Sequence, residues 1–387
     1  MKIAILTSDS REHFRYYDNP VPYFGTAPEA LLQGFAKIGG AEIHVLSCTR
    51  QPVAAPKKIA DNIWYHNLHV PQIGWLRTGY QGCIRAMREK LREIGPDIVH
   101  GQGTEHNNAL GAVFSGFPNV VTIHGNMKAL AEFYQARAGG YYWLTARLET
   151  LALRRTGGVF CNSAFTENEV APRARRTWRV PNAVREIFFQ PPPAPRSPKN
   201  ILLNLGVICD YKRQIELMDV ARTLHERGHP VEFWFAGTCP ADTPYGAAFL
   251  EKIRAAEPAG YARYLGMKNA RELVALLDAV PALVHFPLQE AFGLVVAEGL
   301  ARGLNLFGAR VGGVPDIAEG VPGAELLAKD DWTGLTTSIE RWLTEDHAPN
   351  TAASLLMRQR YAPEVIARRH LEIYREVLRG KSGKVKS

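Results

Sequence analysis

Cysteine is scarce in this chain. Cys48, Cys83, Cys161, Cys209 and Cys239 stand far apart, and no two form a C-x-x-C pair. That argues against a metal site or disulfide scaffold and predicts free thiols in a reducing cytoplasm. Long apolar runs are also missing. No segment approaches the ~20 apolar residues that a membrane-spanning helix needs. The amino terminus, MKIAILTSDS, turns polar after a short apolar run, as a first strand does and a signal peptide does not. No short internal period recurs, which excludes solenoids and propellers. No His/Asp cluster has metal-ligand spacing, so no metal is expected.

What remains is a soluble globular composition, 46% hydrophobic and 22% charged, over 387 residues, enough for two domains. The net charge of +8 admits an anionic partner such as phosphate, nucleic acid or an acidic membrane surface. It equally suits a mildly basic enzyme.

The pattern alternates strands and helices. Residues 3–7 read as a buried strand, followed by a polar aromatic loop to Gly25. Thr26 and Glu29 have the spacing of a capping box opening a helix over 26–38, which Gly39 and Gly40 end. A strand over 42–48 completes a βαβ unit, whose Gly25 loop is a candidate phosphate neighbour or a plain tight turn. A helix over 80–94 and strands at 97–100, 120–123 and 159–161 continue the alternation, with His124 at a strand end. In open α/β sheets ligands gather at such ends. Residues 133–143 are rich in aromatics. They read either as an acceptor-binding or membrane-facing lip, or as a helix–turn–helix packing its rings inward. Arginines 173, 175, 176 and 179 form a basic cluster.

Residues 190–199 (QPPPAPRSPK) read as a semi-rigid linker. The expected organisation is an amino-terminal domain over 1–189, this linker, and a second domain over 200–362. A helix over 363–380 and a basic tail over 381–387 follow. In the second domain a strand over 200–205 ends at Gly206, a helix runs to about 226, and strands follow at 231–235 and near 264–267.

The most informative stretch is 286–303, FPLQEAFGLVVAEGLARG. An apolar strand over 282–286 ends at Pro287, a turn carries Glu290 and Gly293, and a nearly all-apolar helix follows, holding Glu298. An unpartnered buried charge costs several kcal/mol, so Glu298 reaches solvent or binds a polar ligand. Gly293 lets a ligand approach the backbone, and the helix start favours an anion. Phosphate on the amides with a diol on each carboxylate describes a nucleotide-sugar. Two merely solvated carboxylates are the plainer alternative.

Glu290-x7-Glu298, with Phe292-Gly293-Leu294 between, resembles the donor-site signature of the retaining glycosyltransferases, family 4, of the GT-B fold. Gly312-Gly313-Val-Pro315-Asp316 resembles that family's GGxPE segment, with Asp for Glu, and Pro181-Asn182-Ala183-Val184 its PNGV element, with Ala for Gly. Gly206-x5-Lys212 matches the spacing of its G-R-x-x-x-x-K diphosphate clamp, but Val207 stands at the Arg position and Arg213 is the candidate substitute. Pro287 lies three residues before Glu290, without the Ser that usually follows, which predicts a shorter turn.

The resemblance implies an α/β GT-B fold. Two Rossmann-like parallel-sheet domains face across a cleft, and the last helix crosses back to the first domain. It implies transfer of a sugar from a nucleotide-sugar, UDP- or GDP-linked, with retention of configuration and without a metal or other cofactor. Glu298 would hold the ribose and Glu290 the donor sugar. Lys212 and the amides near Phe292, Gly293 and Leu294 would hold the diphosphate, with Gly25 and Gly206 beside it. Met267 would lie near the base, and His124 would line the sugar or orient the acceptor. Catalytic duty thus falls on His124, Lys212 and Glu290. The acceptor is a sugar, a lipid-linked molecule or a small molecule. The expected location is the cytoplasm, with peripheral contact at the inner membrane face where the acceptor is a lipid, and no nucleic acid partner. Two alternatives are an epimerase of the same fold, which needs no acceptor, and a non-enzymatic basic protein that binds polyanions or membranes.

Overall fold

The computed structural model describes residues 1–191, 200–345 and 349–382. Most of the expected linker, residues 192–199, lies outside them, as does the end of the expected tail, 383–387. The chain divides into two units, Met1–Arg185 with Ala362–Ser387, and Glu186–Tyr361. The first break thus falls slightly before residue 189, the boundary that the sequence pattern suggested.

The first unit is built on the strands β1 (Lys2–Leu6), β2 (Glu42–Thr49), β3 (Lys58–Ala60), β4 (Ile63–His69), β5 (Ile98–Gln102), β6 (Asn119–Ile123), β7 (Val159–Cys161) and β8 (Thr177–Arg179). Among the described residues they form one sheet in the order β3-β4-β2-β1-β5-β6-β7-β8, parallel except for β3. Both faces are buried, so β1 is apolar without alternation. Ile3 and Ile5 join one core with Leu31 and Phe35 of the helix Thr26–Ile38 and Ile366 and Tyr374 of the helix Pro363–Ser382. Ala4 and Leu6 join the other with Ile84, Met87 and Leu91 of the helix Gln81–Ile94.

The helix Pro363–Ser382 is part of this unit's core. A Cβ on Gly34 would lie 2.1 Å from the Pro363 carbonyl oxygen, so only glycine lets these backbones meet. Deeper in, Tyr374 reaches Nδ1 of the buried His100 at 2.5 Å, and Phe160 and His370 pack around the pair.

The capping box expected at Thr26 does not form. Gly25 is the N-cap, without a side-chain cap, and the Glu29 N–H donates to its carbonyl. The Glu29 side chain instead lies 3.9 Å from Arg185, a cation that local sequence could not reveal. A capping box does occur at Asn269 and Glu272. The polar aromatic loop after β1 is fixed by a buried pair. Arg11 contacts Asp9 at 2.7 Å and donates to the Asn19 and Ala54 carbonyls, while the Tyr65 hydroxyl donates to Asp9. This loop also contains the unanticipated helix Ser10–Phe14.

The second unit carries β9 (Ile201–Leu205), β10 (Glu232–Ala236), β11 (Ala262–Tyr264), β12 (Ala282–His285), β13 (Asn305–Ala309) and β14 (Ala324–Leu327). Among the described residues these form an all-parallel sheet ordered β11-β10-β9-β12-β13-β14. Leu202, Phe233, Phe235 and Val284 pack against Leu217, Leu224, Phe249 and Leu335 from the helices Gln214–Glu226, Pro244–Ala259 and Trp332–Trp342. Each unit is thus a Rossmann-like α/β layer.

Candidate active site

In the second unit the strand order reverses between β9 and β12. At such a point the connections leave in opposite directions and open a crevice at the carboxyl ends of the strands. The β9–β12 ladder pairs only Ala282 with Leu202 and Leu283 with Leu203. Beyond it the Asn204 side chain donates to the Val284 carbonyl at 2.9 Å, and its buried Oδ1 makes no hydrogen bond.

The loops leaving these two strands carry the chemistry. The turn after β9 includes Asp210–Lys212, and the Leu288 N–H after β12 donates to the Tyr211 carbonyl at 2.8 Å, pinning one loop to the other. Lys212 Nζ consequently lies 2.5 Å from Glu290 Oε2. His285 Nε2 approaches the same oxygen at 2.9 Å. The Lys212 and Glu290 side chains are only 16% and 14% exposed. Burial pushes the Glu290 carboxyl up, but the Lys212 ammonium and the His285 ring outweigh it and hold the group well below the usual carboxylate range. Burial lowers the pKa of His285, with Glu290 opposing.

Gly293, at φ +99°, is the N-cap of the helix Leu294–Ala301 and offers no side-chain cap. The turn before it rests on the Gly312-Gly313 segment. The Gly313 N–H donates to the Glu290 carbonyl at 3.1 Å, and a Cβ on Gly312 would fall 1.6 Å from that oxygen. Any side chain at 312 would therefore displace Glu290. Phe292 is buried, edge-on to Tyr361. Glu298 is 3% exposed, which removes the solvated alternative for it.

The remaining expected site residues are more scattered. Gly206 follows β9, and Gly237 after β10 donates to the Gly266 carbonyl, which leaves Met267 exposed beside these strand ends. Val207 is exposed too. Arg213 does not join Lys212. Its backbone is left-handed, at φ +61°, and its side chain donates to the Lys329 carbonyl at 2.6 Å, pairs with Asp330 and lies over the Trp332 ring. Neighbouring residues across such a turn point apart, so Arg213 anchors a different loop.

In the first unit, His124 follows β6. Its Nε2 lies 2.9 Å from Gln102 Oε1, and its Nδ1 is buried without a hydrogen bond. Burial lowers its pKa, partly offset by the Glu105 carboxylate. Gly25 is exposed, at an ordinary φ of −61°. The aromatic stretch is a helix–turn–helix, Met127–Phe133 and Tyr141–Arg155, yet Phe133, Tyr134 and Tyr141 are exposed, not packed inward. Three of the clustered arginines are committed to carboxylates: Arg173 to the buried Glu149, Arg176 to Glu376 and Arg179 to Glu167. Among the described residues no group of His, Cys, Asp and Glu could hold a metal ion, and no helix is long and apolar enough to cross a membrane.

Sequence reasoning missed His285. The available signal was a polar ring in an apolar strand, five residues before Glu290.

Comparison with known proteins bears on the whole arrangement. The family model described as Glycosyltransferase Family 4 matches residues 29–186, and that described as Glycosyl transferases group 1 matches 186–356. Both halves of the chain thus match glycosyltransferase family models, and together the two matches span residues 29–356. Among solved structures, the chain resembles the sucrose-phosphate synthase of Thermosynechococcus elongatus in fold, with TM-score 0.76 and 16% identity over 98% of this chain and 100% of that one. It also resembles Anabaena HepE in complex with UDP and glucose, with TM-score 0.72 and 15% identity over 96% and 99%. Among curated proteins, it is 28% identical to an N-acetyl-alpha-D-glucosaminyl L-malate synthase of Bacillus anthracis, over 37% of this chain and 38% of that protein. It is 26% identical to the phosphatidylinositol N-acetylglucosaminyltransferase gpi3 subunit of Schizosaccharomyces pombe, over 57% and 48%. The chain spans less than half the length of the curated relatives it matches.

Proposed function

We propose that the protein transfers a hexosyl group from a UDP- or GDP-linked donor to an acceptor hydroxyl, with retention of configuration and without a metal. The observation that carries this reading is the Lys212–Glu290 pair at the point where the second sheet reverses its order. A cation there, beside the start of the helix Leu294–Ala301, suits a departing diphosphate. Glu290 is assigned to a hydroxyl of the donor sugar, and Glu298 to the ribose diol. His124, at the end of β6, is assigned to the sugar or the acceptor. HepE, described with UDP and glucose, supports a nucleotide-sugar of this kind.

In the reaction the bond from the anomeric carbon to the diphosphate breaks, and its electron pair leaves with the phosphate oxygen. The acceptor oxygen bonds to the same face of that carbon, and its proton passes to the departing phosphate. Lys212 offsets the charge that develops there. The exposed rings of Phe133, Tyr134 and Tyr141 suit an acceptor with an apolar face, lipid-linked or sugar, and contact with a membrane surface.

The test is turnover with a panel of nucleotide-sugars. Lys212→Ala and Glu290→Ala should each lower it by at least about a hundredfold, the scale of a lost charge-stabilising group. Near-normal turnover in both variants would refute the assignment.

A further inference from the structure

His285 closes β12, a strand whose other members, Ala282, Leu283 and Val284, are apolar and buried. Its side chain is 2% exposed. A carboxylate only accepts hydrogen bonds. The 2.9 Å contact between His285 Nε2 and Glu290 Oε2 therefore places the ring proton on Nε2. Lys212 Nζ meets the same oxygen, so both donors hold Oε2 and neither holds Oε1. The titratable groups facing Glu290 are Lys212, from the turn after β9, and His285, from β12 itself.

A diphosphate competes for Lys212. Once Lys212 turns to the phosphate, Glu290 loses one of its two anchors at the moment it must present an oxygen to the sugar. We propose that His285 is a positioning residue. Its Nε2–H keeps hold of Glu290 Oε2 while Lys212 serves the diphosphate, so that Oε1 stays presented to the donor sugar. This rests on the transferase reading above. A ring that merely filled the core would need no proton on Nε2, and a methionine could replace it.

The experiment compares His285→Met, which removes the donor, with His285→Gln, whose amide retains one, and His285→Asn, whose amide is too short to reach. Three quantities are read: the affinity for UDP and GDP by calorimetry, kcat with donor and acceptor, and the acid limb of the kcat–pH profile. His285→Met should keep nucleoside diphosphate affinity but lose at least about tenfold in kcat, the worth of one hydrogen bond to a charged group. Its acid limb should move to higher pH, because Glu290 protonates more readily without the donor. His285→Gln should recover most of both. If His285→Met does not fold, the comparison of Gln with Asn carries the same expectation. Unchanged kcat and acid limb in Met, or equal loss in Gln and Asn, overturns the proposal. Failure of the unaltered protein to bind UDP or GDP overturns the transferase reading instead.

Discussion

Replacing Glu290 with glutamine should tighten nucleoside diphosphate binding while it slows turnover. In the free protein Lys212 is paired with Glu290 at 2.5 Å, so a diphosphate must displace a carboxylate before it gains the ammonium. The neutral amide that Glu290→Gln introduces cannot compete as an anion, and it no longer repels the phosphate. Both partners keep some solvent contact, so the net coupling belongs at roughly 1–2 kcal/mol, within the range for contacting residues. At ~1.4 kcal/mol per tenfold change, UDP or GDP affinity should rise about tenfold. Turnover should fall by about a hundredfold or more, because the sugar loses its anchor. Calorimetry gives the affinity, and a released-nucleotide assay the turnover. A second calorimetric series on Lys212→Met, alone and with Glu290→Gln, closes the cycle, and there the gain should shrink. Glu290→Gln binding no tighter than the unaltered protein would refute the idea that the two charges hold each other in reserve.

Three further outcomes follow from the same geometry. Arg213→Ala should lower the melting temperature, through loss of roughly 2–3 kcal/mol of charge-assisted bonding, and leave nucleoside diphosphate affinity unchanged; weakened binding would return Arg213 to the site. Gly312→Ala should yield a folded protein with turnover reduced about a hundredfold, since displacement of Glu290 by an ångström is enough, and circular dichroism with a turnover assay checks this. Because the folded Glu290 carboxyl is depressed, its contribution to stability is full above the unfolded value of about 4.3 and is lost as pH falls toward the folded value. The melting temperature of the unaltered protein should accordingly drop more steeply below about pH 4 than that of Glu290→Gln.

The alternation of apolar strands and amphipathic helices made the central strands of both sheets legible in the sequence, β1, β2, β5, β6 and β7 in the first and β9 to β12 in the second, but β3, β4, β8, β13 and β14 were not anticipated. Gly312 and Gly313 were also legible, and their close approach to the Glu290 turn supplies the physical reason. What local patterns could not show were partners distant in sequence. Glu29 had the right spacing for a capping box, but Arg185 lies beside it instead. Arg213 sat next to Lys212 in the chain, yet a left-handed backbone sends it to Lys329 and Asp330. His285 was hidden because a lone histidine in an apolar strand looks structural until the turn folds Glu290 back on it. The turn at 134–140 was readable from Gly139 and Gly140, but the exposure of its rings was not.

The seam between Gly34 and Pro363 sets an order of events during synthesis. The ribosome delivers residues 186–361 before it delivers the helix that Tyr374 and Ile366 belong to. Until that helix emerges, Leu31, Phe35 and Phe160 lack part of their cover, and His100 lacks its phenol. The unit begun before residue 186 is therefore completed only after residue 361, and it must stay open, and guarded against sticking, for the whole time its companion is being translated.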